Sequence, residues 1–579
     1  MSFRKKQFNT ALIVLLAIVL SLGCFFRFVN LEYKVFWVDE VSTAVRASGY
    51  TVGEVNHDLA QQGIIDRDAL NYYQTISNGR SFFDSWSAFT KSPEHAPLYF
   101  VLTRIWMQLW GSSITALRSL PACMSLFIFP SLYWLCWELF GQKLVSPMAV
   151  ILMSVSPFFV AYAQEARPYS LWTVAILLMS ASLLRAIKLN NKLSWCVYSL
   201  SLILGFYTSL FSLYVWFFQG IYIIAIKQKF KIIKNYVIYS AIALLAFVPW
   251  LLIIINSLDL LQKNTSWMRG NFNLADIIAV YVGTNLLIFG DLPISQDSDP
   301  IKTAIALIVI IALLVATIFL FPRWKKPVFA WILSISGGIF LLSNYIYLDL
   351  TTIVGALVAL AILSLSAYSI YYLIANTNRE RWLFILCMML SLPVPLLISD
   401  IINQGQSSTA PRYLIPLQLG ILIAVAYTLA NKLTSNKITF QRQRLWQFIF
   451  AGFITLGIFS CVRNLNTSPF YQKGRNINNI AIAEIINRNI PALVTVESND
   501  TMDLLSLAYS LSPEVKYKVV TSESEITKYR DRFDNIYLLK PSLELQQKLK
   551  RDKQIDLQQV YKSHIFSADE FPLDLWQVR

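Results

Sequence analysis

The sequence predicts an all-α polytopic membrane protein with a small α/β domain at its C-terminal end. Hydrophobic residues make up 56% of the 579 residues and charged residues only 14%, whereas soluble domains carry about 25% charged residues. Apolar segments long enough to cross a bilayer recur through the first 463 residues, and short basic clusters separate them. Beyond them, short helix-like and strand-like patterns alternate, which is typical of a small α/β domain.

The first apolar segment, residues 10–29, is predicted to remain in the protein as a transmembrane helix. The sequence FFRFVNLEYKVFW at its end offers no small-residue cleavage site of the kind that a signal peptide carries. Basic residues 4–6 place the N-terminus in the cytoplasm, because positive charge is retained on that side of the membrane. The first helix therefore delivers the chain to the extracytoplasmic face.

Assigning every basic cluster to the cytoplasm predicts 13 crossings, an internal N-terminus and an external C-terminus. The predicted crossings are residues 10–29, 115–139, 144–162, 168–187, a pair within 194–227 that turns near Tyr207 and Thr208, 235–256, 302–321, 328–347, 351–374, 381–401, 411–430 and 445–463. Residues 30–113 then form a long external loop, in which the short apolar stretch 97–111 is predicted to be an interfacial helix because it contains Arg104. Residues 257–301, which are rich in aspartate, are predicted to be a second external loop.

The formal charge of +15 does not indicate a nucleic-acid partner. From Asn464 onward the chain has 15 basic and 15 acidic residues, so the excess belongs to the first 463 residues, which have 34 basic and 19 acidic ones. There it forms the clusters expected of cytoplasmic loops. The six cysteines all lie in apolar segments without metal-ligand or redox spacing, so we expect them to behave as small buried hydrophobic residues.

Two domains are predicted, a transmembrane domain of residues 1–463 and a soluble extracytoplasmic α/β domain of residues 464–579. The second has strand-like segments at 492–497, 516–520 and 535–539, and helix-like segments at 478–489, 502–511 and 542–551. Its helices follow no glycine-rich phosphate turn, so a nucleotide site is not expected there.

Asp39 and Glu40, in the sequence FWVDEVSTA, form an acidic pair just after the first helix. Adjacent carboxylates at the membrane surface could bind a divalent cation, or one of them could act as a general base towards an alcohol. The alternative is an ordinary solvated helix start with Asp39 near the N-cap.

Glu94 and His95 directly precede the predicted interfacial helix, on the same external segment as Asp39. The histidine could handle a proton, ligate a metal or contact a phosphate. Capping of the helix is the alternative interpretation.

The sequence YAQEARP places four further polar residues, Tyr162, Gln164, Glu165 and Arg167, at the external boundary between two crossings. Ionisable groups near the apolar slab usually have a function, so Glu165 could join Asp39 while Arg167 binds a phosphate. A local ion pair between Glu165 and Arg167 is the alternative. Arg412, at the outer end of another helix, would lie near a lipid phosphate, or it could be an ordinary snorkelling arginine.

These segments resemble the GT-C superfamily of polyprenyl-phosphate-sugar glycosyltransferases. The resemblance is to the branch, similar to glycosyltransferase family 39, that contains protein O-mannosyltransferases, lipid A aminoarabinose transferases and rhizobial lipopolysaccharide galacturonosyltransferases. The matching stretches are FWVDEVSTA, HAPLYF, ALRSLPACMSLFIF, LFGQKLVSPMAVILMSVSPFFVAYAQEARPYSL, GFYTSLFSLYV and PRYLIPL. They span most of residues 36–417, and YAQEARPYSL is the most specific of them.

The resemblance implies an inverting transfer of a sugar from a polyprenyl-phosphate donor to a lipid, polysaccharide or protein acceptor. Asp39 would activate the acceptor hydroxyl, and Arg167 and Arg412 would stabilise the departing phosphate. Glu40 and Glu165 would be further catalytic carboxylates. The residues implied to line the site are Glu94, His95, Tyr162 and Gln164.

Two departures from the family pattern bear on sugar or acceptor choice. Ala96 stands where the family commonly has a proline, and Ser209 stands where many members have a histidine. Neither position is one of the implied catalytic groups. No cofactor is implied with certainty, and the need for a divalent metal ion is left open.

Two other functions fit the sequence. Thirteen apolar segments with intramembrane charges are also typical of a transporter or a flippase for lipid-linked glycans. A polymerase or ligase of surface polysaccharide would carry out a related transfer from a pyrophosphate-linked donor. The notable acids lie at the external edge and not at mid-membrane, which favours the transferase. The resemblance implies a bacterial inner membrane, while sequons at Asn264 and Asn466 keep a eukaryotic secretory membrane open.

Overall fold

The computed structural model describes residues 2–77, 79–291, 350–435, 439–467, 473–522, 525–526, 528–551, 555–563 and 572–578. Helices dominate this part of the chain. The α-helices are α1 (Ser2–Phe28), α2 (Val38–Ser48), α3 (Val52–Gln61), α4 (Arg67–Tyr72), α5 (Phe82–Thr90), α6 (Leu98–Trp110), α7 (Ile114–Leu126), α8 (Ile128–Phe140), α9 (Val145–Ser154), α10 (Pro157–Ala163), α11 (Tyr169–Leu189), α12 (Lys192–Thr208), α13 (Ser212–Ala225), α14 (Phe230–Asn256), α15 (Leu258–Asn264), α16 (Leu274–Phe289), α17 (Leu350–Asn376), α18 (Arg379–Leu390), α19 (Pro393–Asn403), α20 (Ile415–Thr434), α21 (Phe440–Asn464), α22 (Asn479–Asn487), α23 (Thr501–Ala508) and α24 (Leu543–Arg551).

Within these residues, eight helical segments are long and apolar enough to cross a membrane, and nine if the bent pair α9 and α10 makes one crossing. The eight segments are Ala11–Phe28, Ile114–Phe140, Tyr169–Leu189, Phe230–Asn256, Gly355–Asn376, Arg379–Asn403, Pro411–Thr434 and Phe440–Asn464. The membrane character of the fold is as predicted, but the 13 crossings are not confirmed. The predicted crossings 302–321 and 328–347 lie outside the described residues.

The apolar stretch 194–227 breaks close to the predicted turn, since α12 ends at Thr208 and α13 begins at Ser212. Both helices are shorter than the eight full-length segments. The helix pair α9 and α10 bends by 62°, and Pro157 at the start of α10 explains the break because proline cannot donate to the preceding helical turn.

The predicted second external loop is only partly a loop. Residues Leu274–Phe289 form the apolar helix α16, which packs against α10, α17, α20 and α21. Asp276 lies in its first turn and Asp291 follows its end, and these aspartates are among those on which the prediction of a loop rested. Helix α16 was not predicted, and the external position of residues 257–301 stays a prediction.

The predicted first external loop folds into the helices α2 to α6. Helix α6, the predicted interfacial helix, buries Tyr99, Phe100 and Met107 while Leu109 and Trp110 are exposed. Arg104, whose charge argued against a crossing, is buried and donates hydrogen bonds to the carbonyls of Ala47 and Arg80. Helix α6 does not pass the length test for a span.

The C-terminal segment forms a five-stranded sheet. Its strands are β1 (Ala492–Glu497), β2 (Lys516–Val520), β3 (Asn535–Leu539), β4 (Leu557–Tyr561) and β5 (Leu575–Val578), in the order β2-β1-β3-β5-β4. Strands β2, β1 and β3 are parallel, and β5 and β4 add antiparallel pairs. The three predicted strands are confirmed, and the boundary at residue 464 stays a prediction.

The sheet domain shares a hydrophobic core with residues 30–113, the predicted first external loop. Val494, Val496 and Tyr517 of the sheet belong to the same buried cluster as Val41 and Val45 of α2. Helix α23 packs directly on α2. The C-terminal domain therefore holds in place the helix that carries Asp39 and Glu40.

Candidate active site

Helix α2 presents Asp39 and Glu40 in opposite environments. Both lie in its first turn, where the helix dipole favours carboxylates. Successive helical residues point about 100° apart, so the two side chains diverge. The Asp39 side chain is 29% exposed, whereas that of Glu40 is completely buried.

Glu40 is the centre of a buried ion cluster. Arg118 donates from Nε to Oε1 at 2.8 Å and from Nη2 to Oε2 at 2.7 Å, and Lys473 Nζ donates to Oε2 at 2.9 Å. The backbone N–H of Ala166 adds a bond to Oε1 at 2.9 Å. Burial alone would raise the pKa of Glu40, but the charges of Arg118 and Lys473 outweigh it and lower this pKa to about 2. The contacts of Glu40 tie α2 to the segments that carry Arg118, Ala166 and Lys473, and its oxygens are occupied by these donors.

The sequence interpretation missed both cations of this cluster. Arg118 also donates to the carbonyls of Leu31, Lys34 and Val35, so it fixes the chain that leads into α2. An arginine within an apolar segment is a recognisable signal. Lys473 offered no such signal, since it lies 433 residues from its partner.

A cavity of about 1330 Å³ lies beside the start of α2. Five of the predicted site residues line it, and these are Asp39, Glu94, His95, Arg167 and Arg412. The lining does not include the other four, which are Glu40, Tyr162, Gln164 and Glu165. The structure thus divides the nine predicted site residues into five that line the cavity and four that do not.

Arg167 joins the YAQEARP segment to α2. Its Nη2 lies 3.7 Å from Asp39 Oδ2, and its Nη1 donates to Thr43 Oγ1 at 3.2 Å and to the Asp39 carbonyl at 3.4 Å. The Glu165 carboxylate has no hydrogen-bond partner among the described residues. The local ion pair between Glu165 and Arg167 is therefore not formed, and Arg167 pairs with Asp39 instead.

Arg412 lies among aromatic rings at another wall of the cavity. Its guanidinium carbon is 5.7 Å from the ring centre of Trp37, 5.9 Å from that of Trp267 and 5.3 Å from that of Tyr413. Such cation–π contacts stabilise an arginine away from bulk water. The side chain faces the cavity, so it is not simply snorkelling from the bilayer. Trp267 was not among the predicted site residues.

Glu94 and His95 lie on the cavity wall and do not cap α6, whose N-cap makes no side-chain hydrogen bond. Glu94 Oε2 accepts from Asn264 Nδ2 at 3.1 Å, and Glu94 Oε1 is 3.7 Å from His95 Nε2. The imidazole stacks on Phe100. Burial, followed by the charges of Arg167 and other arginines, lowers the pKa of His95 well below its usual value, so the ring is neutral at pH 7.

Tyr162, Gln164 and Glu165 lie behind the cavity wall. Gln164 Nε2 donates to the carbonyls of Phe26 and Val29, both at 2.8 Å, and so ties this segment to α1. Tyr162 and Glu165 are buried. Burial raises the pKa of Glu165 to about 7, the opposite of the outcome at Glu40.

No group of three or more histidine, cysteine, aspartate or glutamate side chains in the described parts of the chain is arranged to hold a metal ion. All six cysteines are unpaired, and five of them are buried or half-buried.

Substitution of Glu40 by glutamine should destabilise the protein. Arg118 and Lys473 would remain buried without their counter-charge, and breaking a buried ion pair costs about 3–5 kcal/mol. A clear decrease in the apparent melting temperature of the purified protein is expected. Asp39→Asn is the matched control, because it removes a neighbouring carboxylate that is partly exposed. Equal melting temperatures for the two variants would contradict the anchoring role of Glu40.

Glu165 should make stability depend on pH. The folded protein retains the proton up to about pH 7, whereas the unfolded chain releases it near 4.5. The folded state binds more protons in this window, so its stability falls as the pH rises from about 4.5 to 7. Melting temperatures measured across this range should therefore vary less for Glu165→Gln than for wild type. Superimposable pH profiles would show that Glu165 has an ordinary pKa.

Comparisons with known proteins match part of the chain to a family and most of it to solved structures. Residues 94–253 match the family of dolichyl-phosphate-mannose-protein mannosyltransferases, and no curated protein shows significant similarity. The chain is similar to ArnT from Cupriavidus metallidurans bound to undecaprenyl phosphate, at 12% identity and a TM-score of 0.43, over 98% of both chains. It is also similar to the oligosaccharyltransferase AglB from Archaeoglobus fulgidus in complex with an inhibitory peptide and a dolichol-phosphate, at 12% identity and a TM-score of 0.47, over 92% of this chain and 70% of that one.

The family match falls on the segment that carries the HAPLYF and YAQEARPYSL stretches. It confirms the resemblance to GT-C superfamily glycosyltransferases of the protein O-mannosyltransferase-like branch.

Proposed function

We propose that this protein is a membrane glycosyltransferase that transfers a sugar from a polyprenyl-phosphate donor to a hydroxyl group of an extracytoplasmic lipid, polysaccharide or protein, with inversion. The observation that carries the proposal is the shared cavity of a partly exposed carboxylate, Asp39, and two guanidinium groups, Arg167 and Arg412. The family that matches residues 94–253 is named for the use of dolichyl-phosphate-mannose, a donor of this class.

Asp39 acts as the general base in this proposal. Its carboxylate takes the proton of the acceptor hydroxyl while the acceptor oxygen forms a bond to the anomeric carbon. The bond between that carbon and the phosphate oxygen breaks, and its electron pair leaves with the polyprenyl phosphate. Attack from the face opposite the leaving group inverts the anomeric centre.

Arg167 and Arg412 stabilise the charge that develops on the phosphate. The Nε atom of each is buried and has no hydrogen-bond partner among the described residues. An unsatisfied buried donor costs about 1–3 kcal/mol, and a phosphate oxygen bound beside the guanidinium would offset that cost. Arg167 also contacts Asp39, so it places the base next to the leaving group.

One part of the cavity suits a prenyl chain. Trp172 of α11, Tyr214 of α13, Val280 of α16 and Phe211, which directly precedes α13, line it. These helices are a full-length apolar span and two shorter apolar helices. A lipid-linked donor can thus enter from the bilayer with its phosphate towards Arg412. We place this cavity on the extracytoplasmic face, with the N-terminus in the cytoplasm of a bacterial inner membrane.

The remaining predicted residues take supporting roles in the proposal. Glu40 positions α2 through Arg118 and Lys473, and Gln164 fixes the segment that carries Arg167. Neutral His95 faces the cavity, where it can exchange hydrogen bonds with sugar hydroxyls. Glu94 orients Asn264, and Phe100 orients the imidazole by stacking.

Asp39→Asn should abolish most of the transfer. An amide cannot accept the hydroxyl proton, and loss of a general base lowers the rate by about 10²–10⁴-fold. The measurement is release of radiolabelled sugar from a panel of polyprenyl-phosphate sugars by the full-length protein in nanodiscs. Asp58→Asn is the control, because Asp58 is an exposed aspartate of α3 that does not line the cavity. Equal activity of wild type and Asp39→Asn would remove Asp39 from the mechanism, and donor binding without transfer by wild type would favour a carrier.

Arg412→Gln should lower the rate of transfer by about 10²–10³-fold, the usual loss when one donor to a developing oxyanion is removed. Arg488→Gln is the control, since Arg488 directly follows α22 and its side chain is 78% exposed. The same donor assay measures both variants. An Arg412→Gln rate within a factor of two or so of the Arg488→Gln rate would exclude Arg412 from phosphate stabilisation.

A further inference from the structure

Asp400 is a buried carboxylate that has no part in the proposed reaction. It lies in the last turn of α19, at the end of the apolar span Arg379–Asn403, and is only 1% exposed. Acidic residues in apolar spans are rare and usually have a function, and the helix dipole disfavours a carboxylate in the last turn of a helix. Asp400 does not line the cavity, so it acts through the residues that it contacts.

The carboxylate of Asp400 binds the loop that leads to Arg412. Oδ1 accepts from the backbone N–H of Ser407 at 2.7 Å, and Oδ2 accepts from that of Ser408 at 2.8 Å. The hydroxyl groups of the two serines donate to the same two oxygens. Hydrogen bonds to an ionised group are about twice as strong as neutral ones. These four bonds fix residues 404–409, the Asp400 loop, to the end of α19.

The Asp400 loop in turn holds the segment that follows α15. The carbonyl of Gln404 accepts from three consecutive backbone N–H groups, those of residues 270–272. Gln406 donates from Nε2 to the carbonyl of Trp267 at 2.7 Å and from its backbone N–H to that of Met268 at 3.0 Å. The position of the backbone around Trp267 therefore depends on the loop.

The loop and this segment approach so closely at Gly405 that no side chain fits there. A Cβ atom on Gly405 would overlap the carbonyl oxygen of Met268 and would lie 3.1 Å from Asp400 Oδ1. Neither obstacle can move freely, because one is backbone and the other is bound by four donors. Asp400, its loop and the segment of Trp267 are therefore packed as one unit.

This unit carries both the cation and one aromatic ring of the wall where we place the donor phosphate. Thr409 at the end of the loop, Arg412 three residues later and Trp267 all line the cavity. The ring centre of Trp267 lies 5.9 Å from the guanidinium carbon of Arg412. The two side chains belong to separate parts of the chain, so their distance is set by the loop that joins those parts.

We propose that Asp400 is a positioning residue of the donor site, which holds the Arg412 guanidinium against Trp267 at the place where the phosphate binds. This inference rests on the proposed function. An asparagine at this position has the same shape, but its amide group accepts on one side only, so it would place an N–H donor against the backbone N–H of Ser407 or Ser408. The loop would loosen on that side, and Arg412 would lose its fixed position.

Hydrogen exchange of the full-length protein tests the positioning without any ligand. The amides of residues 270–272, which the loop binds, should exchange about tenfold or more faster in Asp400→Asn than in wild type, as measured by mass spectrometry. Glu138→Gln is the matched control, because the Glu138 carboxylate in α8 is also 1% exposed and does not line the cavity. Unchanged exchange of these amides in Asp400→Asn would overturn the proposal.

Binding of geranyl phosphate, a short polyprenyl phosphate, tests the link to Arg412. In calorimetric titrations of the protein in detergent micelles, Asp400→Asn should bind this probe about tenfold more weakly than wild type, since small displacements of binding groups are costly. Glu138→Gln should bind it like wild type. In the Arg412→Gln background, Asp400→Asn should cause no further loss, because both changes act on the same group.

Two binding results would overturn the proposal. One is wild-type affinity in Asp400→Asn, and the other is an equal loss in the Arg412→Gln background, which would show that Asp400 does not act through Arg412. Failure of the wild-type protein to bind geranyl phosphate would instead contradict the proposed function. The exchange of residues 270–272 does not depend on that binding, so the two failures are distinguishable.

Discussion

The buried cluster of Glu40, Arg118 and Lys473 is the interaction on which the arrangement of the cavity depends. Taking three charges out of water is expensive, and the cost is recovered only when their mutual geometry is good. Each partner comes from a different part of the chain, namely α2, α7 and the start of the C-terminal domain. Because a misplaced partner would leave an unpaired buried charge, the cluster allows one relative position of these three parts. That position brings Asp39 to the cavity.

The same helical turn serves structure and chemistry. Consecutive residues of a helix point about 100° apart, so a pair of adjacent acids can be divided between the interior and a cavity. Glu40 is held from the inside by the two cations and by the Ala166 amide. Asp39 is thereby oriented by its neighbour and meets Arg167 of the segment that contains Ala166. A single short segment, residues 164–168, supplies contacts to both acids.

Local patterns predicted a good part of this structure. The three predicted strands and the break after Thr208 could be predicted because they depend on neighbouring residues. The ionisable groups of the YAQEARP segment pointed to a contact with Asp39, but Arg167 makes that contact and not Glu165. Strands β4 and β5 escaped prediction, since β4 is partly exposed and polar and β5 has only four residues.

Contacts between distant residues were the part that the sequence could not supply. Lys473 is an unremarkable lysine of a polar segment until folding buries it against Glu40. Trp267 likewise lies in a stretch read as a loop, and only tertiary structure brings it over Arg412. Helix α16 was missed because the aspartates of residues 257–301 indicated a loop, whereas the apolar run between Asp276 and Asp291 packs against other helices.

Glu40 and Glu165 show how two buried carboxylates can have opposite electrostatic outcomes. Two cations around Glu40 leave one positive charge in excess within the protein interior. Glu165 is placed to balance it, since Lys473 is the strongest charge that acts to lower its pKa, but desolvation outweighs that attraction and raises this pKa to about 7. Ionisation of Glu165 would neutralise the cluster at the cost of a buried carboxylate without hydrogen bonds. Two costs therefore oppose each other near neutral pH, namely the uncompensated positive charge when Glu165 is protonated and the desolvation of its carboxylate when it is ionised. Their balance sets the net charge behind the cavity wall.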